Sequence, residues 1–177
     1  MLLHPNKNWH WLFDSKLQRM TLLLGEQMQF VSELEGRKMS SAASQAGEFT
    51  CEQTQDYLYL LEVLEGIDWP DPIKVQTALN ALTMKYYHKP MMPQSWFFVQ
   101  GSEMQPCQFG ELIQLKTQKS LAWFMVVEAE PTSALCMYLD KELWLSDAKS
   151  MSQFDVIKVM RDRIIEPESV KQYARAV

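Results

Sequence analysis

The sequence lacks any long hydrophobic run. No stretch approaches the roughly 20 consecutive apolar residues that a membrane-spanning helix needs. The first eleven residues contain Lys7 and two histidines, where a secretory signal would have an apolar core. We therefore expect a cytoplasmic protein without a membrane partner.

The sequence is also poor in residues that close disulfides or bind metals. Its three cysteines, Cys51, Cys107 and Cys136, are odd in number and unevenly spaced, and they contain no CxxC pair. Disulfide frameworks use even numbers of cysteines, and zinc clips use closely spaced pairs. We therefore predict reduced, mostly buried thiols and no metal site.

Recognisable catalytic and cofactor-binding motifs are absent. The sequence has no glycine-rich dinucleotide loop, no phosphate-binding lysine loop, no GxSxG nucleophile motif, no HExxH zinc motif and no EF-hand calcium loop. We predict no cofactor, no catalytic residues and no small-molecule substrate, and we favour a protein that works by binding another protein. Two alternatives stay open: a small enzyme whose site the fold assembles from Asp, Glu and His side chains, and a general protein adaptor.

Positive charge is in deficit, because 17 lysines and arginines are outnumbered by 22 acidic residues and the net charge is −5. Phosphate backbones and anionic lipid surfaces repel such a protein, so we expect no nucleic-acid partner. The basic side chains that could still form a local patch for an anionic ligand are Lys74, Lys85, His88, Lys89, Arg161 and Arg163. The alternative is that these cations only stabilise the ends of helices.

The N-terminal half predicts three strands followed by two helices. Apolar residues alternate with polar ones through residues 8–33, which is typical of a three-stranded antiparallel meander with short turns. Residues 35–48 are small and polar, and they predict a long, mobile loop. Apolar residues at helical spacing then predict two helices, the second capped by Asp71 with a proline after it and ending near Lys89.

The C-terminal half predicts short strands separated by polar residues. The five candidates are residues 97–99, 112–115, 122–127, 134–139 and 143–145. So many strands in so short a segment predict a small curled sheet or barrel. For residues 153–165 we favour a helix, with a strand as the alternative. The fold class is therefore α+β, with an N-terminal α/β region at residues 1–93 and a C-terminal β-barrel-like region at residues 94–177.

Methionine and tryptophan are abundant, at twelve and six residues. Most of these side chains are expected in the core, but they also form adaptable protein-binding surfaces. A group of methionine and aromatic residues lies beside two prolines, between the two halves: Met91, Met92, Trp96, Phe97 and Phe98. We expect this group to be the best candidate for a partner-binding surface, with core packing as the alternative.

An ordered set of short matches to one protein family runs through nearly the whole chain. Residues 89–96 read Lys-Pro-Met-Met-Pro-Gln-Ser-Trp, and residues 79–82 read Leu-Asn-Ala-Leu. Further matches lie at Pro5, Asn8-Trp9, Trp11, Asp14, Arg19-Met20, Met28, Phe30, Arg37-Lys38-Met39, Ala134-Leu135-Cys136, Ile157-Lys158-Val159-Met160 and Asp162-Arg163. Together these residues resemble the ZapC family of bacterial cell-division proteins.

The resemblance implies an N-terminal α/β region, a C-terminal twisted β-barrel-like region and direct binding to the tubulin-like division protein FtsZ. It further implies that the chain stabilises FtsZ polymers, promotes lateral bundling of protofilaments, suppresses FtsZ GTPase activity and acts at the midcell division ring. In the family, a hydrophobic N-terminal pocket and basic positions are linked to FtsZ binding, and the matching residues are Leu22, Lys89 and Arg163. Gln94 departs from the lysine that the family pattern implies at its position.

Overall fold

The computed structural model describes residues 2–165, which form two compact units. Among these residues, the first unit comprises 2–65 and 69–90, and the second comprises 66–68 and 91–165. Within residues 2–165, two α-helices and nine strands in antiparallel pairs confirm the predicted α+β class.

The first unit begins with the predicted three-stranded meander. Its strands are β1 (His10–Asp14), β2 (Arg19–Leu23) and β3 (Gln29–Glu35), which pair in that order. Trp11, Leu22 and Phe30 lie opposite one another across the three strands, and all three are buried. Cross-strand neighbours share one face of a sheet, so this row forms the apolar side of the meander.

Residues 35–48, predicted as a long loop, contain two short 3-10 turns, at Gly36–Lys38 and Ser41–Gln45. The backbone N–H of Ser40 donates to the carbonyl of Tyr87 at 2.7 Å, and Ala43 is buried. Segments this short carry no readable hydrophobic period, which is why the sequence did not reveal them.

Two helices, α1 (Cys51–Glu65) and α2 (Asp71–Tyr87), complete the first unit. A capping box starts α1, because Gln53 N–H donates to Thr50 Oγ1 and Thr50 N–H donates to Gln53 Oε1, both at 3.1 Å. Asp71 was predicted to cap α2 but is instead its first residue, following Pro70. The helix ends at Tyr87, close to the predicted end.

In its described residues, the second unit contains two antiparallel sheets. The larger one has the strand order β4 (Leu112–Lys116), β5 (Leu121–Ala129), β6 (Ser133–Tyr138), β9 (Val156–Met160). The smaller one pairs β7 (Glu142–Ser146) with β8 (Lys149–Ser152). Their shared core consists of Phe98, Ile113, Leu115, Ala122, Phe124, Val126, Ala134, Cys136, Tyr138, Leu143, Leu145, Met151, Ile157, Val159 and Ile164.

Two predictions for this unit were wrong. The helix favoured for residues 153–165 is strand β9, followed by a 3-10 turn at Arg161–Arg163. Ile157 and Val159 alternate into the core opposite β6, so pairing with a distant strand decides between the two periods that the sequence allowed. The strand predicted at residues 97–99 is absent, and a 3-10 turn occupies Ser95–Phe97.

Candidate partner-binding site

Lys89, a candidate binding residue, lies just beyond the end of α2. Its backbone N–H donates to the carbonyl of Lys38 at 2.8 Å, and its Nζ donates to the carbonyl of Arg37 at 3.0 Å. The preceding residue, His88, forms a β-bridge with Met39. These contacts hold Lys89 against the 3-10 turn that carries two further cations.

We call Glu35, Arg37, Lys38 and Lys89 the Lys89 cluster. Arg37 Nε lies 2.5 Å and Lys38 Nζ lies 3.8 Å from the Glu35 carboxylate, and the hydrogen bond from Arg37 lowers the pKa of Glu35. Within the cluster, three cations are matched by one carboxylate, so its four members carry two positive charges in excess. Arg37 and Lys89 are both exposed. A locally cationic surface therefore exists on an acidic chain.

The composition of this cluster differs from the cation group that the sequence suggested. Lys85 is engaged elsewhere, because its Nζ lies 2.5 Å from Asp56 Oδ2, which also accepts a hydrogen bond from Tyr86 at 2.7 Å. Lys74 Nζ donates to the carbonyl of Glu65 at 3.3 Å. The fold thus groups Lys89 with the cations of the 3-10 turn after β3, and not with the lysines of α2.

His88 contributes no positive charge to this surface at neutral pH. Burial lowers the pKa of His88, and its Nδ1 lies 2.6 Å from the carbonyl oxygen of Lys89. A carbonyl only accepts, so the single ring proton belongs on Nδ1. The side chain is therefore a neutral hydrogen-bond donor at the helix end, and the predicted interaction of a histidine cation with the helix dipole does not apply.

Leu22, the second candidate, lies in the middle of β2 and has no exposed surface. Trp11 and Phe30 flank it in the apolar row of the meander. Leu22 therefore packs inside the first unit and does not reach its surface.

Arg163, the third candidate, belongs to the 3-10 turn after β9, where its side chain is 15% exposed. Its Nη1 lies 2.6 Å from Asp162 Oδ1, and its Nε donates to the carbonyl of Ser95 at 3.2 Å. With Val99, Lys116 and other residues of the second unit, it lines a pocket of about 210 Å³. Much of its charge is neutralised by Asp162, so Arg163 also has a structural role.

Gln94 occupies the position where the family pattern implies lysine. Its side-chain oxygen accepts a hydrogen bond from Lys149 Nζ at 2.6 Å, and its backbone N–H donates to the carbonyl of Lys158 at 2.7 Å. Lys149 on β8 therefore brings an ammonium group to the side chain of Gln94.

Neither a cluster of metal ligands nor a membrane-spanning helix occurs in the described part of the chain. Residues 2–165 contain no group of three or more His, Cys, Asp or Glu side chains arranged to hold a metal ion. No helix in the same range is long and apolar enough to cross a bilayer.

Comparison with known proteins identifies the family. The model of the N-terminal region of the cell-division protein ZapC matches residues 2–89, and the model of its C-terminal region matches residues 90–170. The chain belongs to the ZapC family. Its members are named as cell-division proteins and not as enzymes, and membership supports a role in cell division.

Curated ZapC relatives match over almost their full lengths. The cell division protein ZapC of Shewanella frigidimarina is 36% identical over 99% of this chain and 100% of its own length. That of Shewanella woodyi is 36% identical over 93% and 91%, and that of Aeromonas hydrophila is 33% identical over 97% and 96%. The similarity therefore includes both units.

Proposed function

We propose that this chain is a cytoplasmic accessory protein of the midcell division ring that binds FtsZ directly. In this proposal it stabilises FtsZ polymers, promotes lateral bundling of protofilaments and suppresses FtsZ GTPase activity. Membership of a cell-division family supports the setting. The observation that carries the binding proposal is the Lys89 cluster, an exposed cationic surface on a chain with a net charge of −5.

A polymeric partner suits weak contacts of this kind. A filament repeats one site many times, so an accessory that contacts neighbouring subunits or filaments gains effective concentration without any single strong contact. If the accessory binds the assembled form better than the free subunit, it shifts the population towards polymer. Slower GTP turnover then follows, provided that hydrolysis depends on exchange between the two forms.

The three candidate residues have different roles in this proposal. Lys89, with Arg37, supplies exposed charge that can contact FtsZ. Leu22 supports the first unit from its core, and Arg163 fixes the turn at Ser95–Phe97 through the carbonyl of Ser95. Charge reversal at Arg163 would leave Asp162 unpaired, so Arg163→Glu is a poor test of direct binding.

A charge-reversal experiment with a matched control tests the proposal. The protein is mixed with FtsZ and GTP, polymers are pelleted, and the double variant Arg37→Glu/Lys89→Glu is compared with Lys7→Glu/Lys16→Glu. Both variants reverse two exposed cations in the first unit. We expect the cluster variant to bind at least about tenfold more weakly, because its new glutamates would repel the acidic groups of FtsZ that the cations are proposed to contact. The control should bind normally.

Three results would count against this proposal in different ways. Absence of the unmodified protein from the pellet would refute FtsZ binding. Equal losses in both double variants would show that only total charge matters, and normal binding by the cluster variant would remove the Lys89 cluster from the site. A fluorescent fusion that fails to reach the division ring would refute the proposed localisation.

A further inference from the structure

Two hairpin turns of the second unit meet beside an exposed tryptophan. One turn joins β4 to β5, and the other joins β7 to β8. Residues 117–119 of the first turn and 144–147 of the second line a pocket of about 250 Å³. Trp144, the central residue of β7, belongs to this lining and is 50% exposed. Burying a tryptophan ring contributes strongly to stability and binding, so its exposure at a pocket calls for an explanation.

The backbone of the β4–β5 turn is held by Thr117. Its N–H donates to the carbonyl of Ser120 at 2.8 Å, and its Oγ1 accepts hydrogen bonds from the N–H groups of Lys119 at 3.2 Å and Ser120 at 3.0 Å. Thr117 is buried, whereas Gln118 and Lys119 at the tip of the turn are exposed. A tip that is fixed in this way loses little conformational entropy when a partner binds.

An ion pair joins the tips of the two turns. Lys119 Nζ lies 3.0 Å from Asp147 Oδ1, and the two side chains are 71% and 96% exposed. So exposed a pair contributes little to the stability of one chain, and its members can change partners at little cost. Among the described residues, the pocket lining holds no other ionisable side chain, so this surface has no net charge. We call Gln118, Lys119, Trp144 and Asp147 the Trp144 surface.

A surface that carries one charge of each sign beside an apolar ring is complementary to a copy of itself. About a two-fold axis, every contact of one copy is repeated by the other. Lys119 of one copy can then face Asp147 of the second and the reverse, so that four charges alternate in sign. The net charge of −5 does not prevent this approach, because charges beyond about 8 Å are screened at physiological ionic strength.

We propose that the Trp144 surface joins two copies of this chain in a two-fold symmetric dimer. Each Trp144 packs into the pocket of the other copy, where the two indole rings meet, and Lys119 pairs with Asp147 twice across the axis. The contact is small, so the dimer belongs to the weak, transient class. Half of the protein should be dimeric only at a concentration on the order of 100 µM.

Pairing gives the proposed bundling activity a mechanism. A dimer carries two Lys89 clusters, and a bivalent accessory bridges neighbouring filaments through effective concentration. This consequence rests on the proposed function, whereas the dimer itself does not. The dimer is therefore tested first without FtsZ, and the consequence afterwards with it.

Sedimentation equilibrium of the purified chain, at concentrations from about 5 µM to about 1 mM, tests the dimer. The molar mass should rise from 20.7 kDa towards twice that value. Trp144→Ala should raise the dissociation constant at least about 30-fold, because it removes a typical hot-spot residue from both copies. Trp96→Ala is the matched control, since Trp96 is 69% exposed in the same unit, and it should leave self-association unchanged.

An exchange of charges makes the test specific to two-fold pairing. Lys119→Asp and Asp147→Lys should each weaken self-association at least about tenfold, because each places like charges opposite one another across the axis. An equimolar mixture of the two variants should pair as well as the unmodified protein, since every charge in the mixed dimer faces its opposite. Recovery in the mixture also shows that both variants are folded, and circular dichroism is measured for all variants.

Mixtures with FtsZ and GTP then test the link to bundling. Trp144→Ala should still pellet with FtsZ polymers through the Lys89 cluster, but light scattering should show fewer bundles than with the unmodified protein. Trp96→Ala keeps the dimer contact and should not lose bundles for this reason.

Each outcome supports the dimer or overturns it. A constant molar mass of 20.7 kDa up to about 1 mM, normal self-association by folded Trp144→Ala, or charge variants that fail to pair when mixed would overturn it and leave FtsZ binding standing. If the chain stays monomeric and Trp144→Ala loses FtsZ binding, the surface docks FtsZ and the inference is wrong. Absence of the unmodified chain from the FtsZ pellet would overturn the proposed function but not the dimer.

Discussion

Replacing Leu22 with alanine should destabilise the first unit without removing any exposed contact. Leu22 has no exposed surface and packs in a row with Trp11 and Phe30 on the central strand of the meander. Truncating a buried leucine removes its transfer free energy and leaves a cavity, at a cost of about 2–5 kcal/mol. Proteins of this size unfold with about 5–15 kcal/mol, so the loss is a large share of the total.

Urea unfolding followed by tryptophan fluorescence measures this loss, because Trp9 and Trp11 are buried in the same unit. With an m-value of about 2 kcal/mol/M, the midpoint should fall by about 1–2.5 M. Leu17→Ala is the control, since Leu17 is 51% exposed in the turn between β1 and β2. Its free energy of unfolding should change by no more than about 0.5 kcal/mol.

The same two variants distinguish packing from direct contact at Leu22. If Leu22 acts through packing, any loss of FtsZ binding by Leu22→Ala should follow the fraction of unfolded protein and recover under stabilising conditions. Loss of binding with a free energy of unfolding as little changed as that of Leu17→Ala would refute this reasoning. Leu22 would then have to reach the partner in a conformation other than the one described.

Two further predictions concern titratable side chains. Burial lowers the pKa of His88 in the folded protein below its ordinary value of 6.5. Between these two values the unfolded chain binds more protons than the folded one, so stability falls as the pH falls through this window. His88→Gln should lose less stability between about pH 7.5 and about pH 5.5 in thermal unfolding; an identical profile would contradict the assignment. Cys51 is exposed, whereas burial raises the pKa of both Cys107 and Cys136. A thiol reagent should therefore modify Cys51 first, Cys107 more slowly and Cys136 only after unfolding, and rapid reaction of all three would contradict the structure.

Local patterns were enough to predict most elements of the first unit. The period-two alternation in residues 8–33 predicts β1, β2 and β3, and the helical spacing predicts α1 and α2. Both patterns arise because one side of a strand or helix is buried, so the order of apolar and polar residues within the element is enough to predict its type. Strand β9 was mistaken for a helix because its pairing with β6, rather than its own residues, selects the period.

The candidate site was less predictable because it depends on contacts between distant residues. Lys89 was correctly expected at the end of the second helix, but Arg37 is 52 positions earlier and meets it through a backbone hydrogen bond. The 3-10 turn that carries Arg37 has no hydrophobic period, so the sequence offered no reason to place its cations beside Lys89. The exposure of Trp96 was similarly hidden, since composition alone favours tryptophan in the core.

Net charge is a poor guide to what a partner meets on this protein. Lys85 lies 2.5 Å from Asp56, and Lys158 lies 2.8 Å from Glu130, so these cations are locally neutralised. At physiological ionic strength, charges are screened beyond about 8 Å, so a docking surface responds mainly to its own immediate groups. The Lys89 cluster and Lys149 keep local positive charge under this criterion. An acidic chain can therefore bind an acidic segment wherever its own carboxylates pair with other cations.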